Sequence, residues 1–180
     1  MHQLPNILTG FRFAVIPFLL YCLRPDVSTT VTLVGFTLYT LGAITDWFDG
    51  YLARRLNVVS SFGKLMDPLA DKLFMTAVLV MLIPTGRVPD MVAFLIIGRE
   101  LVVTGLRGVA AAHGLVISAS PLGKYKAFTQ ILALGFLMFP LGILAFNPHD
   151  VGFWLLYLAL GLTLLSGAEY VYRFKRVYVG

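Results

Sequence analysis

The chain has 180 residues, 58% of them hydrophobic and only 13% charged, with a formal net charge of +5. Its mean hydropathy is +0.85, whereas soluble domains carry about 25% charged residues. A water-soluble fold of this length has too little interior to hide so much apolar surface, so the sequence reads as an integral membrane protein, one domain over 1–180. The single cysteine, Cys22, excludes a disulfide framework and a cysteine-rich metal site. No cleavable signal peptide is expected, because the first apolar stretch carries Arg12 and lacks a small-residue cleavage site behind a basic region.

Apolar stretches between turn signals predict six spans, each near the ~20 residues that a bilayer requires. They run over 5–23, 29–54, 63–83, 89–112, 121–145 and 151–172. The breaks LRPDVS, RRLNVVSS, IPTGRVPD, AAHGLVISASP and FNPHD hold the Pro, Gly, Ser, Asn and Asp that end helices. The expected fold is therefore an all-α bundle of six transmembrane helices with both termini on one side. Loops after the first, third and fifth spans hold Arg24 and Arg87, offset by Asp26, Asp90 and Asp150. The other side collects Arg54, Arg55, Lys64, Lys124, Lys126, Arg173, Lys175 and Arg176, which places both termini in the cytoplasm. The pairs Gly35 and Gly42, Gly98 and Gly105, and Gly135 and Gly142 recur at seven-residue spacing and read as close helix packing.

Polar chemistry concentrates in DWFDGYLARRLNVVSSFGKLMDPLAD, residues 46–71. On the second span Gly42, Asp46, Asp49, Gly50, Ala53 and Arg54 make one stripe; Gly63, Asp67 and Asp71 make another on the third. Asp46 and Asp71 each lie eight residues from the shared cytoplasmic end of their spans, roughly 12 Å deep at the helical rise. All four carboxylates can meet in one cytoplasm-facing cavity. Together they repel unless cations join them, and carboxylates without His or Cys select Mg²⁺, Mn²⁺ or Ca²⁺. Pro68 leaves the Lys64 carbonyl without its helical donor, and Gly50 and Ala53 leave room for a flat or bulky group. Carboxylates, divalent ions, small residues and Arg54 describe a site for a phosphorylated, nucleotide-bearing substrate. The alternative is an interhelical ion-pair network, with Asp46 or Asp49 on Arg54 or Asp71 on Lys72, but the acids outnumber the nearby bases.

The eight positions Asp46, Asp49, Gly50, Ala53, Arg54, Gly63, Asp67 and Asp71, with their spacing, match the signature of the CDP-alcohol phosphatidyltransferase family. The stretches LPNILTGFRF, KLMDPLADKLF, GRELVVTGLRG and LGKYKAFTQ extend the resemblance over most of residues 3–135, toward the branch that uses sn-glycerol 3-phosphate. The resemblance implies transfer of a phosphatidyl group from CDP-diacylglycerol to sn-glycerol 3-phosphate, with release of CMP and without a covalent enzyme intermediate. It implies two Mg²⁺ or Mn²⁺ ions on Asp46, Asp49 and Asp67, with Asp71 at the second ion and acting as base. Gly50, Ala53 and Arg54, together with Asp46 and Asp49, would line the cytidine and diphosphate pocket. It further implies a homodimer in the bacterial cytoplasmic (inner) membrane, with membrane lipid and no nucleic acid among its partners. A family member of phosphatidylinositol-phosphate or cardiolipin synthase type would keep the same aspartates. A divalent-cation transporter is the alternative from another class, since intramembrane acids also mark ion paths.

Cations elsewhere suit the acceptor's phosphate. Arg107 and Lys124 sit in the cytoplasmic half of their spans, and Arg99 lies eight residues deeper than Arg107. Against this, Glu100 and Arg107 share a helical face, and either arginine can instead pair with Glu100. Lys64 and Lys72 remain further candidates. Asn6, Thr9 and Arg12 share a face near the membrane entrance, where they either bind donor phosphate or cap and snorkel. His2, His113 and His149 read as surface residues. RFKRVY after the last span reads as a basic anchor beside anionic lipid.

Overall fold

The computed structural model describes residues 4–56, 61–115, 120–140 and 145–178; within them, side chains are described at 10, at 12–45 and from 69 onward. Six helices and no strand occur among the described residues: α1 (Leu4–Cys22), α2 (Thr29–Leu56), α3 (Ser61–Leu82), α4 (Asp90–Ala112), α5 (Pro121–Met138) and α6 (Pro148–Tyr178). Helices stand where the hydropathy breaks place them, with two differences.

The first difference is α5, which ends at Met138 rather than 145. Pro140 forces its predecessor out of the helical region, and Phe139 is extended at φ −62°, ψ 130°. The second is α6, which continues through the basic tail to Tyr178, braced by the Arg173–Glu169 pair one turn apart and by Phe174 stacked on Tyr178. Its start is set locally: the Asn147 side chain accepts from the His149 backbone N–H at 3.0 Å, and Pro148 occupies the first turn. At the end of α4, Gly114 adopts φ 71° and donates to Ala111, while Leu115 donates to Ala110, closing the helix with a left-handed residue.

α1 packs on α2 and α3, and α6 packs on α4 and α5; α2 and α3 meet α5, and α3 also meets α4. The core runs through all six elements, with Leu19, Tyr39, Val78, Leu79, Ile96, Leu134, Leu137 and Leu156 fully enclosed. Tyr39 stacks on Phe74 at 5.6 Å and donates its hydroxyl to the Ile131 carbonyl at 2.9 Å, so its one polar atom is satisfied inside. Outward, every helix presents large apolar groups, among them Phe18, Val34, Leu69, Phe94, Phe128 and Trp154. Among the described residues, α6 is the helix that is long and apolar enough to cross a membrane by length and composition; shorter apolar stretches cover Arg12–Cys22 and Thr29–Thr45.

The seven-residue glycine pairs divide. Gly35 lies against Cys22 and Gly42 against the Phe74 ring, each so close that a Cβ would come within 2.7–2.8 Å. Those two serve packing as expected. Among the described residues nothing lies within 4 Å of a Cβ position at Gly98 or Gly105, and Gly135 makes an ordinary contact with Tyr39 at 3.8 Å; Gly142 lies outside the described residues. His149 also departs from expectation, being half buried with Nε2 at 2.9 Å from the Phe139 carbonyl, whereas His113 is exposed; His2 lies outside the described residues.

Gly152 of α6 lies so close to α5 that a Cβ would come within 2.9 Å of the Leu137 backbone nitrogen. Gly152→Ala is expected to lower the melting temperature of detergent-purified protein by several degrees, since overpacking costs about 1–3 kcal/mol. Gly161→Ala, on the same helix with open space around it, is expected to leave it unchanged or raised.

Candidate active site

A cavity of about 300 Å³ lies where the two groups of helices meet. Its polar lining comes from Arg12 of α1, Asp71 and Lys72 of α3, Glu100 and Arg107 of α4, and Lys126 and Gln130 of α5. Gly42 and Ala43 of α2 form part of the apolar wall with Phe74, Met75 and Ile96. Gly42 leaves room for the Phe74 ring, which reaches from α3 to α2 on this side.

Asp71 stands at the cavity as expected, its carboxylate ion-paired to the buried guanidinium of Arg12 across from α1. Arg12 therefore reaches inward rather than snorkelling. The ion-pair alternative weighed for Asp71 with Lys72 does not occur: Lys72, the next residue, turns to Thr104 of α4. The side chains of Asn6, Thr9, Asp46, Asp49, Gly50, Ala53, Arg54, Lys64 and Asp67 lie outside the described residues. Along the backbone, Asp46 follows Gly42 by one turn of α2 and Asp67 precedes Asp71 by one turn of α3.

The basic side of the cavity is built around Glu100. Its Oε1 accepts from Arg99 Nη1 at 3.0 Å and from the Lys126 ammonium. Arg99 also donates to Ser166 of α6 at 2.8 Å, and its stem runs over Gly167, where a Cβ would sit 2.9 Å away. It therefore faces α6 and is absent from the cavity lining. Arg107, seven residues beyond Glu100, does line the cavity, with its guanidinium carbon 5.4 Å from the centre of the Tyr170 ring. Of the three expected acceptor cations, then, Arg107 faces the cavity, Arg99 is turned to α6, and Lys124 is exposed and outside the lining.

Lys126 is the cation that the sequence reading left unused. A signal for it existed: Lys126, Gln130, Ala133, Leu134 and Leu137 form the buried stripe of α5. Extending the apolar repeat backwards lands on Lys126, whereas Lys124, two residues away, falls on the opposite side of a helix with 3.6 residues per turn. Glu100 was likewise read as mere charge balance, although it joins α4 to α5.

Beside the cavity an apolar groove of about 780 Å³ runs between α2 and α5, lined by Phe36, Tyr39, Phe128, Phe136 and Phe139. Ala43 and Ile131 belong to both spaces, so they adjoin. The structure thus sets an acid, a group of bases and an apolar channel side by side.

The family model for CDP-alcohol phosphatidyltransferase matches residues 2–165, and the chain belongs to that family. It is 41% identical over 184 residues to a Bacillus subtilis protein named CDP-diacylglycerol–glycerol-3-phosphate 3-phosphatidyltransferase, covering 94% of each chain. Proteins of the same name are 38% identical in Rickettsia bellii, covering 98% of this chain and 97% of the relative, and 39% identical in Rickettsia typhi, covering 94% and 96%.

The two lysines of α5 are separable by labelling. In a background where Cys22, itself buried, is replaced by serine, Lys124→Cys is expected to react with a water-soluble maleimide roughly tenfold faster than Lys126→Cys, since thiol reactivity follows exposure. Equal rates would place both positions on the same surface.

Proposed function

We propose that this chain transfers the phosphatidyl group of CDP-diacylglycerol to sn-glycerol 3-phosphate, yielding phosphatidylglycerophosphate and CMP in phospholipid biosynthesis. Relatives named for that reaction support it. The observation that carries it is a cavity lined by Asp71 together with Lys72, Arg107 and Lys126, with an apolar groove adjoining. Among the described lining residues four cations (Arg12, Lys72, Arg107, Lys126) face two carboxylates (Asp71, Glu100). Lys72, Arg107 and Lys126 suit a phosphate monoester, which carries about −1.5 to −2.

In this reading the donor's headgroup enters the cavity while an acyl chain follows the groove toward lipid. Asp71 accepts the proton of the acceptor's 1-hydroxyl as its oxygen attacks the donor's β-phosphorus, and the bond to CMP breaks on the opposite side. Arg107 and Lys126 hold the acceptor's phosphate; Gly50, Ala53 and Arg54 take the cytidine diphosphate. The four-aspartate donor set contains no His or Cys and fits hard cations, and the partly exposed Asp71 carboxylate at the cavity wall supports that reading. Two Mg²⁺ or Mn²⁺ ions on Asp46, Asp49, Asp67 and Asp71 would offset charge on the diphosphate and on departing CMP. The proposal includes a multi-pass homodimer in a bacterial cytoplasmic membrane, with both termini and the cavity mouth cytoplasmic. The outward apolar side chains of all six helices support a lipid surround.

Incubation of the purified protein with CDP-diacylglycerol, sn-glycerol 3-phosphate and Mg²⁺ is expected to release CMP, and excess chelator is expected to abolish it. Asp→Asn at 46, 49, 67 or 71 is expected to collapse turnover, with Asp71→Asn sparing donor affinity more than the others. Divalent-ion flux in proteoliposomes without CMP release would support the transport alternative instead. Arg107→Ala is expected to raise the acceptor KM roughly ten- to hundredfold, the equivalent of one charge-assisted contact of about 1.5–3 kcal/mol. Its donor KM is expected to stay within about twofold, because the donor diphosphate is held by other groups.

A further inference from the structure

Glu100 is a carboxylate in the wall of a cavity that is read as receiving an anion. By charge alone it works against that ligand, so its presence calls for a physical account. Its neighbours supply one. Arg99 of α4 and Lys126 of α5 both bond Oε1 of Glu100, and the Lys126 side chain is 7% exposed. An ammonium so enclosed needs an anion beside it, and Glu100 is the acid it meets. The same residue anchors a third cation: its backbone carbonyl accepts from Thr104 at 2.6 Å, and Thr104 accepts from Lys72 of α3. Cations from three helices thus converge on one residue.

Lysine has a flexible four-carbon stem and three donors on its ammonium. Glu100 engages one of them and thereby fixes where the ammonium sits, leaving donors for the cavity that Lys126 lines. A cation held in place before the ligand arrives loses less freedom on binding than one that must be gathered from several rotamers.

We propose that Glu100 is a positioning residue for the acceptor: it acts through Lys126, presenting that ammonium to the phosphate of the incoming alcohol, without itself touching the substrate. This rests on the acceptor pocket proposed above. The inference predicts that the effect of Glu100 exists only while Lys126 is present. A residue that merely held the fold together would act whether or not Lys126 remained.

The test compares wild type, Lys126→Ala, Glu100→Gln and the double variant, all as full-length protein in one detergent. Acceptor KM, donor KM and kcat are measured, with equilibrium binding of radiolabelled glycerol 3-phosphate in the absence of donor as an independent readout. Lys126→Ala and Glu100→Gln are each expected to weaken the acceptor by roughly tenfold, with donor KM within about twofold, as for loss of a supporting group behind a ligand-binding one. The double variant is expected to be no worse than Lys126→Ala alone. Multiplication of the two single effects would overturn the proposal, because independent sites add in free energy. So would an equal loss of donor affinity in Glu100→Gln. If Lys126→Ala leaves the acceptor unaffected, the acceptor pocket itself is wrongly placed and the proposal falls with it. Should Glu100→Gln fail to fold, Glu100→Asp keeps the charge on a shorter arm and runs through the same cycle, with a smaller acceptor defect expected and the same criterion of non-additivity.

Discussion

A charge removed from water must meet an opposite charge or a dense set of hydrogen bonds, and breaking a buried pair is strongly destabilising, by about 3–5 kcal/mol. In this helix bundle that requirement shapes the centre. Arg12 of α1 reaches Asp71 of α3, and Glu100 of α4 gathers Arg99 of its own helix and Lys126 of α5. Arg99 continues to Ser166 of α6. Each contact satisfies a buried group and also sets the spacing between helices, which is why the cavity lies where these pairs occur. The apolar residues supply the cohesion, but they are interchangeable to a degree that the ion pairs are not.

The bundle divides into two sets of three helices, α1 to α3 and α4 to α6, each packed more closely within itself than with the other. The first set carries the aspartate signature on α2 and α3; the second carries Arg99, Arg107 and Lys126 on α4 and α5. At the cavity each side brings both signs: α1 and α3 contribute Arg12, Asp71 and Lys72, and α4 and α5 contribute Glu100, Arg107 and Lys126. Arg12 pairs with Asp71 across α1 and α3, and Glu100 pairs with Lys126 across α4 and α5.

Much of this was legible in the chain. Helix positions followed from hydropathy and from Pro, Gly and Asn at the breaks, because backbone hydrogen bonding and turn chemistry are local. The error at α5 was local too: Pro140 was readable as a stop, but the apolar run continued past it and masked the signal. Gly35 and Gly42 do pack against neighbours, while among the described residues nothing meets Gly98 or Gly105, since spacing alone shows that two residues share a face and not what that face meets.

The site separates along the same line. Residue type and spacing identified Asp71 as a cavity acid and Arg107 as a cavity base, because i, i+4 and i, i+7 relations within one helix are geometry that the sequence contains. The choice among Arg99, Lys124 and Lys126 was different in kind. It depends on how α4 and α5 are rotated about their axes, and that rotation is set by what they pack against, namely Gly167 and Ser166 beneath Arg99 and the buried stripe of α5 that begins at Lys126. The sequence by itself determined the helices, the charged faces and the family. Only the tertiary structure decided which charges share a cavity, because a contact between helices depends on the rotation and approach of two surfaces, and neither is a property of one segment alone.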